Sequence, residues 1–234
     1  MKEIKKLFIA VIYFSLLSAC DEQLWVGKEA IYLPNRQWIF TVKKSNREIF
    51  DTLLLITFKE RWEYSALQRK INWKFIMKDT IVTENIEETG VIDRARGGSL
   101  LNLIFGSEIW IHPPRSSYLR LAEMVPFPNV KLPPKLGQRI DWELTPKKGW
   151  GEFEGVKVNG KLVVSSKIFF DNPIVKDTCW VIDAFGKSKI GNFKAQYYFH
   201  EKLGFVYFFL RFCILQSRNQ SNRFQTVLNL NLKI

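Results

Sequence analysis

The sequence predicts an all-β chain, mainly antiparallel. The expected form is a single β-sandwich or a partly closed barrel or half-barrel, with at most one or two short helices. Three observations predict it. Apolar residues alternate with polar ones in several segments, as a strand with one buried face requires. β-Branched and aromatic residues are enriched in 47–58, 71–78 and 80–93. Helical periodicity is nearly absent; only Ser99 to Gly106, after Gly97-Gly98, suggests a short helix. The chain has 234 residues, 47% of them hydrophobic, so it can bury a core and is not a disordered segment.

The first twenty residues stand apart. Lys2, Lys5 and Lys6 precede an uncharged apolar run from Leu7 to Leu17, which is shorter than the roughly 20 residues a membrane-spanning helix needs. This is the build of a secretory signal. Leu17-Ser18-Ala19-Cys20 follows, and it resembles the lipobox of bacterial lipoproteins. The resemblance covers these residues alone. It implies that 1–19 is a signal peptide, that Cys20 is lipidated, and that the protein sits in the bacterial cell envelope, inner or outer membrane undetermined. Cleavage would remove three lysines and one glutamate, lowering the net charge of +12 by two units. Residues 20–36 then form the anchor and a short tether ending in the turn signal Pro34-Asn35, and 37–234 form a β-rich domain.

Within that domain Trp38, Phe40 and Val42 share one face of a strand. The run 113–135 carries Pro113, Pro114, Pro126, Pro128, Pro133 and Pro134 and reads as a loop or edge crossing the surface. It could divide the chain near 115, but each half alone would leave many open sheet edges, so one domain is expected. Ile140, Trp142 and Leu144 alternate with Arg139, Asp141 and Glu143. Asn159-Gly160 lies between 151–158 and 161–164 and predicts a type I′ hairpin. A strand over 177–184 precedes a polar loop over 185–192, and a second hairpin joins 192–200 to 205–213 through 201–204. Leu228, Leu230, Leu232 and Ile234 close the chain with another alternating run.

No motif fixes a reaction. HExxH, CxxC, GxSxG and SxxK are all missing from the sequence. Gly155 to Lys161 matches Gly-x4-Gly-Lys, but Leu162 stands where a P-loop needs Ser or Thr, and no strand-to-helix junction is expected there. With three cysteines and two histidines, no metal site and no cofactor is expected. Cys179 and Cys213 fall on the first and third strands of a meander, which are not neighbours, so two free buried thiols are expected.

The candidates that remain are residues rather than motifs. His112, at a strand end beside the prolines, suits a general base or ligand, or a plain strand cap. His200 reads more simply as a capping residue. Tyr198 and Tyr207 lie in a hairpin aromatic on both faces, which suits a ligand cavity or a layer between sheets. Trp150, between glycines and beside lysines, suits stacking on a sugar ring or folding back on the core. The reading is a non-enzymatic, membrane-anchored envelope lipoprotein binding a hydrophobic ligand or a partner protein. The alternatives are a carbohydrate-binding module and a hydrolase with a site near His112. The positive charge points to a membrane or anionic envelope polymers, with no nucleic acid expected.

Overall fold

Antiparallel pairing runs unbroken through twelve strands. The computed structural model describes residues 35–44, 47–62, 65–76, 85–93, 107–114, 117–148, 153–173, 175–214 and 228–233. The first six strands are β1 (Gln37–Lys44), β2 (Arg47–Trp62), β3 (Ser65–Ile76), β4 (Asn85–Asp93), β5 (Ser107–Ile111) and β6 (Asn129–Leu132). The next six are β7 (Arg139–Leu144), β8 (Val158–Asp171), β9 (Lys176–Ser188), β10 (Gly191–His200), β11 (Gly204–Ile214) and β12 (Leu228–Lys233). A 3-10 helix, Ser117–Met124, lies between β5 and β6. The order across the sheet is β6-β5-β4-β3-β2-β1-β12-β11-β10-β9-β8-β7. Each half is a meander, and β12 joins them by pairing with β1 on one side and β11 on the other.

The connection from β6 to β7 forces this sheet to roll. These strands are its two edges. Twelve strands laid flat would separate them by roughly 50 Å. The chain from Leu132 to Arg139 can span only about 24 Å. The side chains show the same curvature. Trp73 of β3 and Phe208 of β11 are four strand steps apart, yet their ring centroids lie 6.4 Å from each other. Phe40 of β1 fills the space between them, 6.1 Å from Trp73 and 5.5 Å from Phe208. The all-β, partly closed architecture is as the sequence predicts. β6 and β7 do not pair with each other, so the sheet is not a closed barrel.

The core is the inner face of this roll. Alternate residues of β1 (Trp38, Phe40, Val42), β3 (Ile71, Trp73, Phe75) and β10 (Phe193, Ala195, Tyr197, Phe199) are buried. Their intervening neighbours are more open, as period-two burial demands.

The Pro-rich run does not cross the surface. Pro113, Pro114, Pro126 and Pro128 are buried, as are Leu119, Ala122, Met124 and Val125. The described residues 112–114 and 117–128 pack against the inner face as a strap. Its carbonyls find donors on the walls: Trp73 Nε1 donates to the His112 oxygen (2.8 Å) and Tyr197 Oη to the Pro126 oxygen (2.7 Å). Phe127 sits between Trp110 and Trp142, at 5.8 and 5.4 Å, so the strap fills the gap between the two edges. Proline suits this place because a buried strap has few acceptors for backbone N–H groups, and proline has none to satisfy.

The strap also explains a failed expectation. Asn159-Gly160 is not a hairpin turn, since β8 runs straight through it. Gly160 is paired with Gly186, and Pro126 lies against both. A Cβ on Gly160 would stand 2.6 Å from Pro126 Cγ. The glycine is there for close approach, not for positive φ. The same run Gly155 to Lys161 therefore ends inside a strand and opens no helix. The loop expected over 185–192 is also shorter: β9 continues to Ser188 and only Lys189-Ile190 turns. The hairpin joining β10 and β11 through 201–203 is as expected. The helix expected over 99–106 lies outside the described residues.

Candidate functional site

The outer face of β7 to β11 carries a basic cleft, and strand register builds it. Asp141, Lys161, Phe185, Lys194 and Arg211 are in line across five strands. Two residues along, Glu143, Asn159, Lys187, Asn192 and Cys213 form a parallel row. All ten are exposed. Between the rows lie Gly160, Gly186 and Phe193, whose own side (or missing side chain) faces inward, so only backbone forms the floor. The resulting cleft has a volume of about 400 Å³ and is lined by Arg139, Asn159, Lys161, Phe185, Lys187 and Lys194, among others.

Charge in this cleft is uneven. Asp141 is held by Arg139 through contacts of 2.9 and 2.8 Å, and Glu143 by Lys157 at 2.8 Å. Among the described residues no ion pair takes up Lys161, Lys187 or Lys194. The Phe185 ring, 39% exposed, has Lys161 Nζ at 6.0 Å and Lys194 Nζ at 5.8 Å from its centroid. One ammonium comes from each neighbouring strand, and the ring's negative face holds both near the cleft. The site thus offers ammonium groups, an apolar ring and two amides, Asn159 and Asn192, that can both donate and accept.

The residues expected from sequence are distributed elsewhere. Cys20 and Trp150 lie outside the described residues. Tyr198 and Tyr207 face each other across β10 and β11 with centroids 4.5 Å apart, and Phe170 packs on both at 5.4 and 6.0 Å. Tyr198 Oη donates to Gln196, whose amide donates to Asp183. Burial raises the pKa of both phenols, so they stay protonated and act as packed outer-face rings.

His112 meets a carboxylate. Its Nε2 is 3.1 Å from Glu123 Oε1, and its Nδ1 is 3.0 Å from the Pro113 carbonyl oxygen. Both ring nitrogens are engaged within the protein, Nε2 with a carboxylate and Nδ1 with a carbonyl oxygen. A general base must reach its substrate's proton, and this pair instead ties the end of β5 to the 3-10 helix. His200 has one defined tautomer: Nδ1 accepts from the Lys202 and Leu203 amides at 3.2 and 3.1 Å, so Nε2 carries hydrogen and donates to Asp177 at 3.1 Å. That is the capping role expected of it. Asp177 has its pKa lowered, first by the Thr178 amide and then by His200.

Cys179 and Cys213 are both free, but only Cys179 is buried. The expectation of two buried thiols fails at Cys213, which takes an outward position at the end of β11. Burial pushes the Cys179 thiol up to about 12, with Asp177 adding to the shift.

Sequence reasoning missed Phe185, Lys161 and Lys194 as a group. Their only signal was alternation through 181–187, and the glycine at 186 masked it.

No protein-family model matches this chain, and no curated protein does. Among solved structures, a protein of YmcC-like fold from Bacteroides fragilis is similar at 9% identity, covering 87% of this chain and 99% of its own, with a TM-score of 0.42. A likeness at that level carries no argument about what this chain does.

Proposed function

We infer that this chain is an exported envelope lipoprotein, held to a membrane through an acylated Cys20, whose β-domain binds a partner on its outer face without catalysing a reaction. The observation that carries the binding part is the contrast between the two faces. Inside the roll the rings of Phe40, Trp73 and Phe208 pack against one another, and the strap lies beside them. An apolar ligand at that point would have to displace them. The outer face, in contrast, carries a cleft with unpaired cations. The anchored part rests on the charge, apolar run and Leu17-Ser18-Ala19-Cys20 of the N-terminus. Acyl chains at Cys20 together with a basic domain supply the two signals that stable membrane attachment requires.

The test is metabolic labelling with an alkynyl fatty acid, followed by membrane fractionation. Wild type should label and sediment with membranes, and Cys20→Ala should do neither. Equal labelling of Cys20→Ala would remove the anchor from this reading.

A further inference from the structure

We propose that the outer-face cleft binds an acidic polysaccharide, with Lys161, Lys187 and Lys194 on its carboxylates, Asn159 and Asn192 on its hydroxyls, and Phe185 against the apolar edge of a sugar ring. This deepens the binding role inferred above and rests on it. Three features of the site support that ligand class. The first is charge: the cleft's acids are already held by Arg139 and Lys157, which leaves its lysines open to an outside anion. The second is shape. The site is a groove crossing the strands, with a floor made of backbone at Gly160 and Gly186, so a polymer can lie along it close to the sheet. A flat anionic membrane would need neither a groove nor amides. The third is chemistry. Asn159 and Asn192 flank Lys187 in register on β8, β9 and β10. Amides match hydroxyl groups, which an acidic sugar carries and a bare polyanion such as polyphosphate lacks. The exposed Phe185 ring offers C–H and ring contacts that also favour a sugar over a bare polyanion.

The cleft is on rigid strands with paired backbone, so it requires no ordering when a ligand arrives. Because its cations are exposed, binding should weaken as salt rises past the point where the screening length falls below about 10 Å.

The experiment measures binding of the full-length Cys20→Ala chain, which carries no acyl anchor, to four probes by calorimetry: polygalacturonate, dextran, polyphosphate of matched charge, and phosphatidylglycerol vesicles. The proposal expects polygalacturonate to bind in a salt-dependent way and the other three to bind at least about tenfold more weakly. Lys161→Gln with Lys194→Gln should lose about tenfold, and Phe185→Ala about fivefold. Lys135→Gln, an exposed lysine away from the cleft, should bind as wild type. Circular dichroism of each variant confirms the fold, and the lysine pair is independent of any packing effect at Phe185. Polyphosphate or vesicles binding as tightly as polygalacturonate, with the same sensitivity to the variants, would overturn the proposal in favour of a bare charged or membrane-contact surface. Loss of no affinity in any cleft variant, or no binding to polygalacturonate, would also overturn it. Failure here with Cys20 labelling intact leaves the anchored lipoprotein standing. Loss of labelling with glycan binding intact does the reverse.

Discussion

Replacing Gly160 with alanine tests the contact between strap and sheet directly. In an ordinary strand the change gains roughly 0.5–1 kcal/mol, because alanine loses less freedom on folding. Here the new Cβ meets Pro126 Cγ at 2.6 Å, the Phe185 carbonyl oxygen at 2.7 Å and Trp142 Cε3 at 3.2 Å. Two of these are closer than carbon can approach without movement. One is backbone within the β8–β9 ladder and cannot give without disturbing the pairing. Overpacking of this kind costs about 1–3 kcal/mol, and set against that gain the net expectation is a loss of about 1 kcal/mol. Gly186→Ala is the matched control. Its Cβ would meet Pro126 Cδ and Val158 Cγ1 at 3.3 Å and the Met124 carbonyl oxygen at 3.5 Å, which small shifts relieve. It should change stability by no more than about 0.5 kcal/mol. For a chain of this length that loss is a melting point about 2–4 °C lower for Gly160→Ala. Urea denaturation followed by circular dichroism measures both. Adding Pro126→Ala removes the Cγ contact but not the one with the Phe185 carbonyl, so rescue should be partial. If Gly160→Ala is as stable as Gly186→Ala, the strap does not bear on the sheet as described.

Further expectations concern buried groups. Tyr197→Phe removes the donor to the Pro126 oxygen and should cost about 1–2 kcal/mol in the same urea assay. Stability should fall as pH rises above about 9, because the unfolded chain releases protons that Cys179 and Tyr197 keep when folded; both have raised pKa values from burial. Cys179→Ala should make that fall shallower, and an unchanged slope would refute the assignment. Cys213 should react quickly with Ellman's reagent in the native protein, while Cys179 reacts only in denaturant. Glu123→Gln should be tolerated within about 1 kcal/mol, since an amide can still hydrogen-bond His112. Glu123→Ala should cost about 2 kcal/mol or more, measured by thermal melting.

Much of the strand content was legible because alternation is a local signal. Trp38, Phe40 and Val42 announce β1, and Ile140 and Trp142 announce β7, without knowledge of any partner. The β10–β11 hairpin was legible from its turn. The failures share one cause: the deciding contact came from far along the chain. Gly160 reads as a turn residue until Pro126, from a segment ending thirty residues earlier, is seen to need the space. The prolines of 113–135 read as surface loop because their aromatic neighbours come from both sheet edges. The cleft was illegible for the same reason. Lys161, Phe185 and Lys194 become neighbours only through the β8–β9–β10 register, which a one-residue slip would have scattered to the other face. His112 was visible as a candidate, but its partner Glu123 was not, since nothing local marks one glutamate among many.

The position of β12 bears on how the protein comes to be folded. Residues 228–233 are synthesised after the other eleven described strands, yet they occupy the middle of the ladder. Until they arrive, β1 and β11 each present an open edge, and the two meanders have no ladder between them. The slowest step should therefore be a long-range one, the insertion of this last strand, with a loop-closure cost set by the whole chain from β1 onward. A chain that crosses a membrane unfolded would emerge with its N-terminal half first. That half must wait, edge exposed, for its partner.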